Sequence, residues 1–384
     1  MKIFFCETFD DGTIGGSHAC MYNLIRHMER SEIACTVGFV AENIYVNKYR
    51  ALGIPVKVLP IRNPVRSGNV LLRKAINWYR LDYKAGKYLK DFFMNEGFDL
   101  VVLNNSIYAS HPFVHVCKKL RIPTVVYERG IGPFKHKDIV ATEDIQASIP
   151  ISYTVRQVLL NNNFKTKIIE MIYDGIDPID MKSQRTPEQI KADLNIPSKS
   201  RVIGMVGNIR SWKGQKFFVE GFIQLARQYD DIFGLLVGGW SEADLGYLQS
   251  LKQVTNNAGL EKRIQFLGYR TDIKDLLSVF DVFVHASIKP EPFGMVILEA
   301  MAARKPIVAT NLGGPLEILN NGECGILVPP GDGQAIEEAC KRYLNYPLLA
   351  EENVSKAYRR LTGNFHISQT VDRTVNLFKQ VLRK

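Results

Sequence analysis

The chain has 384 residues, 46% hydrophobic and 23% charged, with a formal net charge of +10. That length is too great for one ordinary core and suits two domains of about 190 residues each, and the composition is that of a globular protein without low-complexity tracts. The positive balance points to anionic partners: a phosphorylated small molecule, a negatively charged membrane face or nucleic acid.

In chain order, "MKIFFCETFDDG" is apolar for only a few residues before acids intervene, so it reads as a first strand and not as a signal peptide. Short apolar runs then alternate with helical patterns, as in parallel sheets covered by helices on both faces. Strands are expected at Lys2 to Cys6, Cys35 to Val40, Val56 to Pro60, Leu100 to Asn104, Thr124 to Tyr127 and Lys167 to Ile172. Helices fall between them, notably Ser17 to Met28, Arg73 to Asn95 and Val155 to Leu160. The segment Asp174 to Ser200, rich in Pro, Asp, Ser and Lys, reads as the interdomain connection. The alternation resumes with strands at Val202 to Gly207, Phe233 to Gly238, Ile264 to Leu267, Val282 to His285 and Pro306 to Ala309. We therefore expect an α/β protein with a first domain at 1–180 and a second at 181–366. A closing helix at 367–384 is expected to pack back on the first.

No run approaches the eighteen or so apolar residues that span a bilayer. The six cysteines (Cys6, Cys20, Cys35, Cys117, Cys324 and Cys340) form neither a C-x-x-C pair nor a zinc spacing, so a reducing, cytoplasmic compartment is expected. His111, His115 and His136 lack a spacing that would place a metal on a helix.

Phosphates are favoured where a glycine turn leads into a helix, because free backbone amides and the positive end of the helix dipole point the same way. "DGTIGGSHACMYNLIRHM" offers Gly15 and Gly16 before a Ser-capped amphipathic helix, at the carboxyl end of a strand. An ordinary strand-to-helix turn explains the same residues. "VIGMVGNIRSWKGQKFFVEGF" runs a buried strand into a loop with Arg210 and Lys213, a fork and a point charge suited to a diphosphate, or simply solvated loop charges. "HASIKPEPFGMVILEAM" puts Glu291 in a loop and Glu299 inside a helix beginning near Gly294. The amides of Phe293 to Val296 suit an anion, and Glu299 suits a pair of vicinal hydroxyls. "TNLGGPLEIL" then supplies Gly313 and Gly314, which permit close backbone approach, followed by Glu317.

In order and spacing, "VGNIRSWKG", "FLGYRTDIKDLLSVFDVFVHAS", "EPFGMVILEA", "KPIVATNLGGPLEIL" and "CGILVPPGD" resemble the motifs of retaining, nucleotide-sugar-dependent glycosyltransferases of family 4. "GTIGGS" and "YDGID" agree more weakly. The resemblance implies a GT-B fold: two Rossmann-like α/β/α domains facing across a cleft, with acceptor mainly on the first and nucleotide sugar on the second. It implies that Glu299 holds the ribose and that amides around Gly294, Met295 and Val296 hold phosphate. Glu291 and Phe293 would meet the donor sugar, with Tyr269 and Arg270 near the base. Gly16 would bring an amide to the diphosphate, and Lys213 and Arg210 would stabilise its departure. Retention is implied by the family's front-face route, in which the leaving phosphate takes the acceptor proton. A glycosidase-like pair of carboxylates is the other route, but the neighbours of Glu291 fit hydroxyl binding better.

Two departures stand out. The family's Gly-Arg-Leu is here "GNIR", with Asn208 where Arg is usual and Arg210 two positions later. A first-domain histidine common in relatives has no counterpart in "VVYERGIGPFKHKD", where Glu128 or Arg129 takes its place and His136 has no assigned role. With no Asp-x-Asp, neither a metal nor any other cofactor is expected.

Arg73, Arg80, Lys84 and Lys87 fall on one helix face, with Leu71, Ala75, Trp78, Ala85 and Leu89 opposite and Asp82 interrupting them. Such a stripe suits either the anionic headgroups of a membrane or a solvated face packed on the sheet. No recognition motif supports nucleic-acid binding. The expectation is a glycosyltransferase moving a sugar from a UDP- or GDP-linked donor to a saccharide or lipid-linked saccharide. A catalytically silent sugar-nucleotide-binding subunit and a nucleotide-sugar epimerase are the alternatives.

Overall fold

The computed structural model describes residues 1–8, 15–28, 32–61 and 69–383. The chain divides into one unit of Met1–Gly175 with Ile367–Lys384, and a second of Ile176–His366.

In the first unit β1 (Lys2–Glu7), β2 (Ala34–Phe39), β3 (Val56–Val58), β4 (Leu100–Leu103), β5 (Thr124–Glu128), β6 (Ala147–Pro150) and β7 (Ile168–Ile169) form a parallel sheet. Its order is β3-β2-β1-β4-β5-β6-β7. Runs such as Phe4-Phe5 and Val101-Val102-Leu103 are buried on both sheet faces, which is why they are continuous and not alternating. β6, "ASIP", was not expected, because its two polar or small residues hide a fully buried strand.

The second unit repeats the plan with β8 (Arg201–Val206), β9 (Ile232–Val237), β10 (Ile264–Gly268), β11 (Val282–His285), β12 (Ile307–Thr310) and β13 (Ile326–Val328), ordered β10-β9-β8-β11-β12-β13. β13, only three residues long, also escaped the sequence reading. The order reverses beside β1 in one sheet and beside β8 in the other. At such a switch point the loops leaving neighbouring strands diverge and leave room for a ligand.

The helix Ile367–Leu382 is part of the first unit. Phe378 is fully buried with its ring 6.0 Å from that of Phe5, and Thr374 Oγ1 lies 2.8 Å from Tyr127 Oη. Thr370 Oγ1 donates to the Tyr173 carbonyl at 2.9 Å.

The expected helix from Arg73 to Asn95 is three pieces: Val70–Asn77, a π-helical Trp78–Ala85, and Gly86–Glu96. The π-helical turns change the angular step, so residues before and after them do not share a face. Ala85 and Leu89 are buried, but Leu71 is 77% exposed, contrary to the single apolar side expected. The side chains of Arg73, Ala75, Trp78 and Asp82 lie outside the described residues, as do Gly12, Thr13 and Ile14 of "GTIGGS". Among the described residues no helix is long and apolar enough to cross a membrane.

Candidate active site

The second unit gathers its charged groups at the switch point, where the loop after β8 meets the loop after β11. Gly214, at φ +77, sits so close to β11 that a Cβ would lie 1.9 Å from the Ala286 carbonyl oxygen. The Ile288 amide donates to the Trp212 carbonyl at 2.8 Å. These contacts hold the Lys213 turn against the strand exit. Gln215, fully buried, donates from Nε2 to the Asn208 carbonyl and fixes the rest of the loop.

Lys213 Nζ lies 2.5 Å from Glu291 Oε1, with both side chains largely buried. Glu291 Oε2 lies 2.7 Å from His285 Nε2 and accepts from Ser287 Oγ at 2.9 Å. Burial alone would raise the Glu291 carboxyl, but Lys213 and then His285 hold it well below the usual carboxylate range.

The pair Gly313-Gly314 explains how this loop keeps its shape. The Gly314 amide donates to the Glu291 carbonyl at 2.9 Å, and a Cβ on Gly314 would lie 1.9 Å from the Phe293 carbonyl oxygen. The close approach that this glycine pair permits is therefore made by the chain's own backbone. Phe293 is 2% exposed and its ring lies 5.9 Å from Phe365, so its side chain belongs to the core.

Gly294, at φ +120, precedes the helix Met295–Ala302, whose first turn carries no acidic residue. The first amides of a helix lack partners within it, so Met295 and Val296 present donors. Glu299 follows on the same helix and, among the described residues, its carboxylate has neither an ion-pair nor a hydrogen-bond partner. Burial pushes it up to about 7. The side chain is partly exposed, and a carboxylate perturbed in this way beside a helix start is a candidate ligand contact.

Near the ends of β9 and β10, Tyr269 is 50% exposed and Trp240 40% exposed. Burial raises the Tyr269 phenol from its ordinary value. A Cβ on Gly268 would lie 3.5 Å from the Trp240 ring and one on Gly239 would lie 3.4 Å from Tyr269. Arg270 is bound at both Nε and Nη2 by Asp272, at 2.8 and 2.5 Å. Arg210 caps the short turn Ser211–Lys213 and is partly buried.

The first unit carries a buried polar chain along the carboxyl ends of β1, β4 and β5. Glu7 accepts from Ser17 Oγ at 3.0 Å and from Asn104 Nδ2 at 2.6 Å, and it also binds Asn105. Arg129 Nε donates to Asn104 Oδ1 at 3.1 Å, and its guanidinium is paired with Asp174, both side chains being under a tenth exposed. Glu128 is fully buried and accepts from the Ile107 amide at 3.3 Å, with burial pushing its carboxyl up to about 8. Ser17, expected to cap the first helix, instead spends its hydroxyl on Glu7; the N-cap is Gly15, without a side-chain bond. Gly15 has an ordinary φ of −116, and a Cβ there would meet nothing within 4 Å, so nothing in its own fold demands glycine. His136 opens the short helix His136–Ala141, while His111 Nε2 lies 2.6 Å from Asp138.

The sequence reading thus placed Lys213, Glu291, Gly294, Met295, Val296 and Glu299 in one neighbourhood of loops and helix start. It missed His285, Ser287, Trp240 and Gln215. A polar pair at alternate positions leaving a strand, "HAS", was the available signal for the first two. Among the described residues no group of three His, Cys, Asp or Glu side chains is placed to hold a metal.

A family model of glycosyl transferases group 1 matches residues 187–360. The lipopolysaccharide core biosynthesis mannosyltransferase LpcC of Rhizobium leguminosarum bv. viciae is 31% identical over 52% of this chain and 56% of its own length. The corresponding LpsB mannosyltransferase of Rhizobium meliloti is 29% identical over 56% of this chain and 61% of its own. The chain thus spans little more than half the length of these relatives. The Anabaena protein HepE, in a crystal structure with UDP and glucose, superposes with a TM-score of 0.84 at 23% identity, covering 99% of this chain and 100% of its own. At that identity the likeness speaks for the fold, and the two doubly wound units are of the GT-B type.

Proposed function

We propose that this chain, whose residues 187–360 match the family model of glycosyl transferases group 1, transfers a sugar with retention from a nucleoside-diphosphate sugar to a saccharide or lipid-linked saccharide acceptor. The observation that carries the reading is the partly buried Glu299 carboxylate, unpartnered among the described residues, just beyond a helix start and on the same loop-and-helix segment as Glu291, which pairs with Lys213.

Glu299 accepts from the two ribose hydroxyls, since one carboxylate has acceptor sites for both. The Met295 and Val296 amides hold a phosphate at the positive end of the helix. Tyr269 lies beside the base, and Trp240 is the further aromatic there; Arg270 supports that loop through Asp272. Lys213 and Arg210 counter the charge that grows on the diphosphate as its bond to the sugar breaks. On the same face of the sugar the acceptor oxygen bonds to the anomeric carbon, and its proton passes to the departing phosphate oxygen. No step calls for a metal. Glu128 and Arg129, held by internal partners, shape the carboxyl edge of the first sheet, where Gly15 and Gly16 leave open backbone for substrate.

The test is calorimetric titration of uridine, guanosine and adenosine diphosphates and their sugars into the purified chain, with a chelator present. Micromolar binding within one base class is the expected result. Failure of every nucleotide to bind removes the reading, and binding only after metal is restored removes its metal-free form.

We also propose peripheral contact with an anionic membrane. Val70, Leu71 and Leu72 are exposed at the start of the helical segment whose later turns carry the exposed cations Arg80, Lys84 and Lys87. Apolar anchors next to basic side chains favour anionic lipid surfaces. Sedimentation with anionic vesicles, lost in a Leu71→Ser/Leu72→Ser variant and absent with neutral vesicles, is expected; equal binding by the variant counts against the contact.

A further inference from the structure

We propose that His285 is a positioning residue that aims the Glu291 carboxylate at the donor sugar and so sets which sugar is accepted; this rests on the reading of Glu291 as the donor-sugar contact. His285 closes β11, is 3% exposed, and has its Nε2 2.7 Å from Glu291 Oε2. Its Nδ1 is buried without a hydrogen-bond partner among the described residues. Only Nε2 faces a carboxylate, which assigns the proton to Nε2 and makes it the donor.

A buried ring with one orphaned nitrogen is a poor choice for folding, because an unsatisfied polar atom in the interior is costly. At the end of a buried parallel strand a leucine or phenylalanine would serve the core better. The polarity of His285 is therefore directed at Glu291. Ser287 Oγ donates to the same oxygen at 2.9 Å, and the Ser287 carbonyl is itself held by Thr310 Oγ1 at 2.8 Å. Two donors from one strand exit thus fix Oε2, while among the described residues Oε1 faces only the side chain of Lys213.

The division between the two oxygens has a chemical use. When a diphosphate competes for Lys213, Oε1 is freed to accept a sugar hydroxyl while Oε2 stays tied, so the carboxylate neither rotates nor retreats. A fixed acceptor distinguishes an axial from an equatorial hydroxyl, because the wrong epimer leaves it unpaired in a sheltered site. Without His285 the carboxylate swings on Ser287 alone and follows either epimer.

The test uses the full chain with His285→Leu, His285→Asn and His285→Gln. Each is titrated with the nucleoside diphosphate and with two nucleotide sugars that are epimers at one ring hydroxyl. In the leucine variant, affinity for the diphosphate should be unchanged, while the ratio between epimers falls by about tenfold. Glutamine, whose amide nitrogen reaches close to the position of imidazole Nε2, should restore the ratio; asparagine, which is shorter, should not. An unchanged ratio in the leucine variant, or equal rescue by asparagine and glutamine, overturns the proposal. Should the leucine variant fail to fold, the asparagine and glutamine pair decides alone. If no nucleotide binds the parent chain, the proposed function itself falls and this inference with it; a parent that discriminates between the epimers and a leucine variant that discriminates equally well remove only the inference.

Discussion

Replacing Lys213 by methionine is expected to lower turnover by about 10²–10³-fold, the usual effect of removing one donor aimed at charge developing in a transition state. The substitution also strips Glu291 of its nearest counter-charge. Removing one member of a buried pair is costly because the other charge is left behind, up to about 3–5 kcal/mol, and the remaining bonds from His285 and Ser287 should reduce that figure. Stability and turnover can be separated by a Lys213→Met/Glu291→Gln double variant, which should regain most of the lost stability and none of the rate. A double variant as active as the parent would show that Lys213 acts only as a partner for Glu291. The pH dependence has a definite sign. Glu291 is held below its ordinary 4.5, so its contribution is complete above that pH and is lost as the carboxyl protonates at lower pH. Without Lys213 the loss should begin at a higher pH, visible in urea midpoints taken from pH 3 to 7.

Changing Glu299 to glutamine should move binding and stability in opposite directions. Nucleoside diphosphate affinity should fall by about 1.5–3 kcal/mol if charged hydrogen bonds to ribose are lost. Melting of the empty protein should rise at pH 8, because burial lifts this carboxyl from 4.5 to about 7 and its ionisation therefore opposes folding. For a carboxyl raised in this way the penalty is absent below about pH 4.5, grows as pH passes between the two values, and is full above about 7. The stabilisation by glutamine should accordingly vanish near pH 4. Binding of the parent should strengthen as pH rises from 6 to 8 and the carboxylate form comes to dominate. A glutamine variant that binds normally would remove Glu299 from the ribose, and one whose gain over the parent is no greater at pH 8 than at pH 4 would remove the burial penalty.

Strand positions were legible because these strands are buried on both faces: "VIGMV" or "LVVL" can hardly be anything else between turn residues. β6 and β13 were not, being short and partly polar, with burial decided by neighbours distant in sequence. The π-helical turns at Trp78–Ala85 fall within a sequence with ordinary helical periodicity, so the displaced faces on either side had no visible cause. At the site, Glu299 and the Met295–Val296 helix start followed from spacing along one segment. The ties between Lys213 and Glu291 join residues 78 apart in the chain, and the bond from His285 to Glu291 depends on how a loop doubles back on its strand. Gly313 and Gly314 were recognised as points of close approach, but what approaches them is the backbone of 291–293. Glu128 and Arg129 were singled out because relatives carry a histidine in that region; that both are spoken for, by Ile107 and by Asp174, is a matter of tertiary contact.

The helix Ile367–Leu382, whose Phe378 meets Phe5 in the first unit, has a bearing on how the protein is made. During synthesis the strands of the first sheet leave the ribosome long before this helix does. At about 5–20 residues per second, the stretch from 176 to 384 takes roughly 10–40 s to translate. For that interval the apolar surface around Phe5 and Tyr127 lacks its cover, while the second unit, whose residues are continuous, can fold as soon as it emerges. The nascent first unit is thus the species most exposed to chaperones, proteases and self-association, and the last turns of the chain end that exposure.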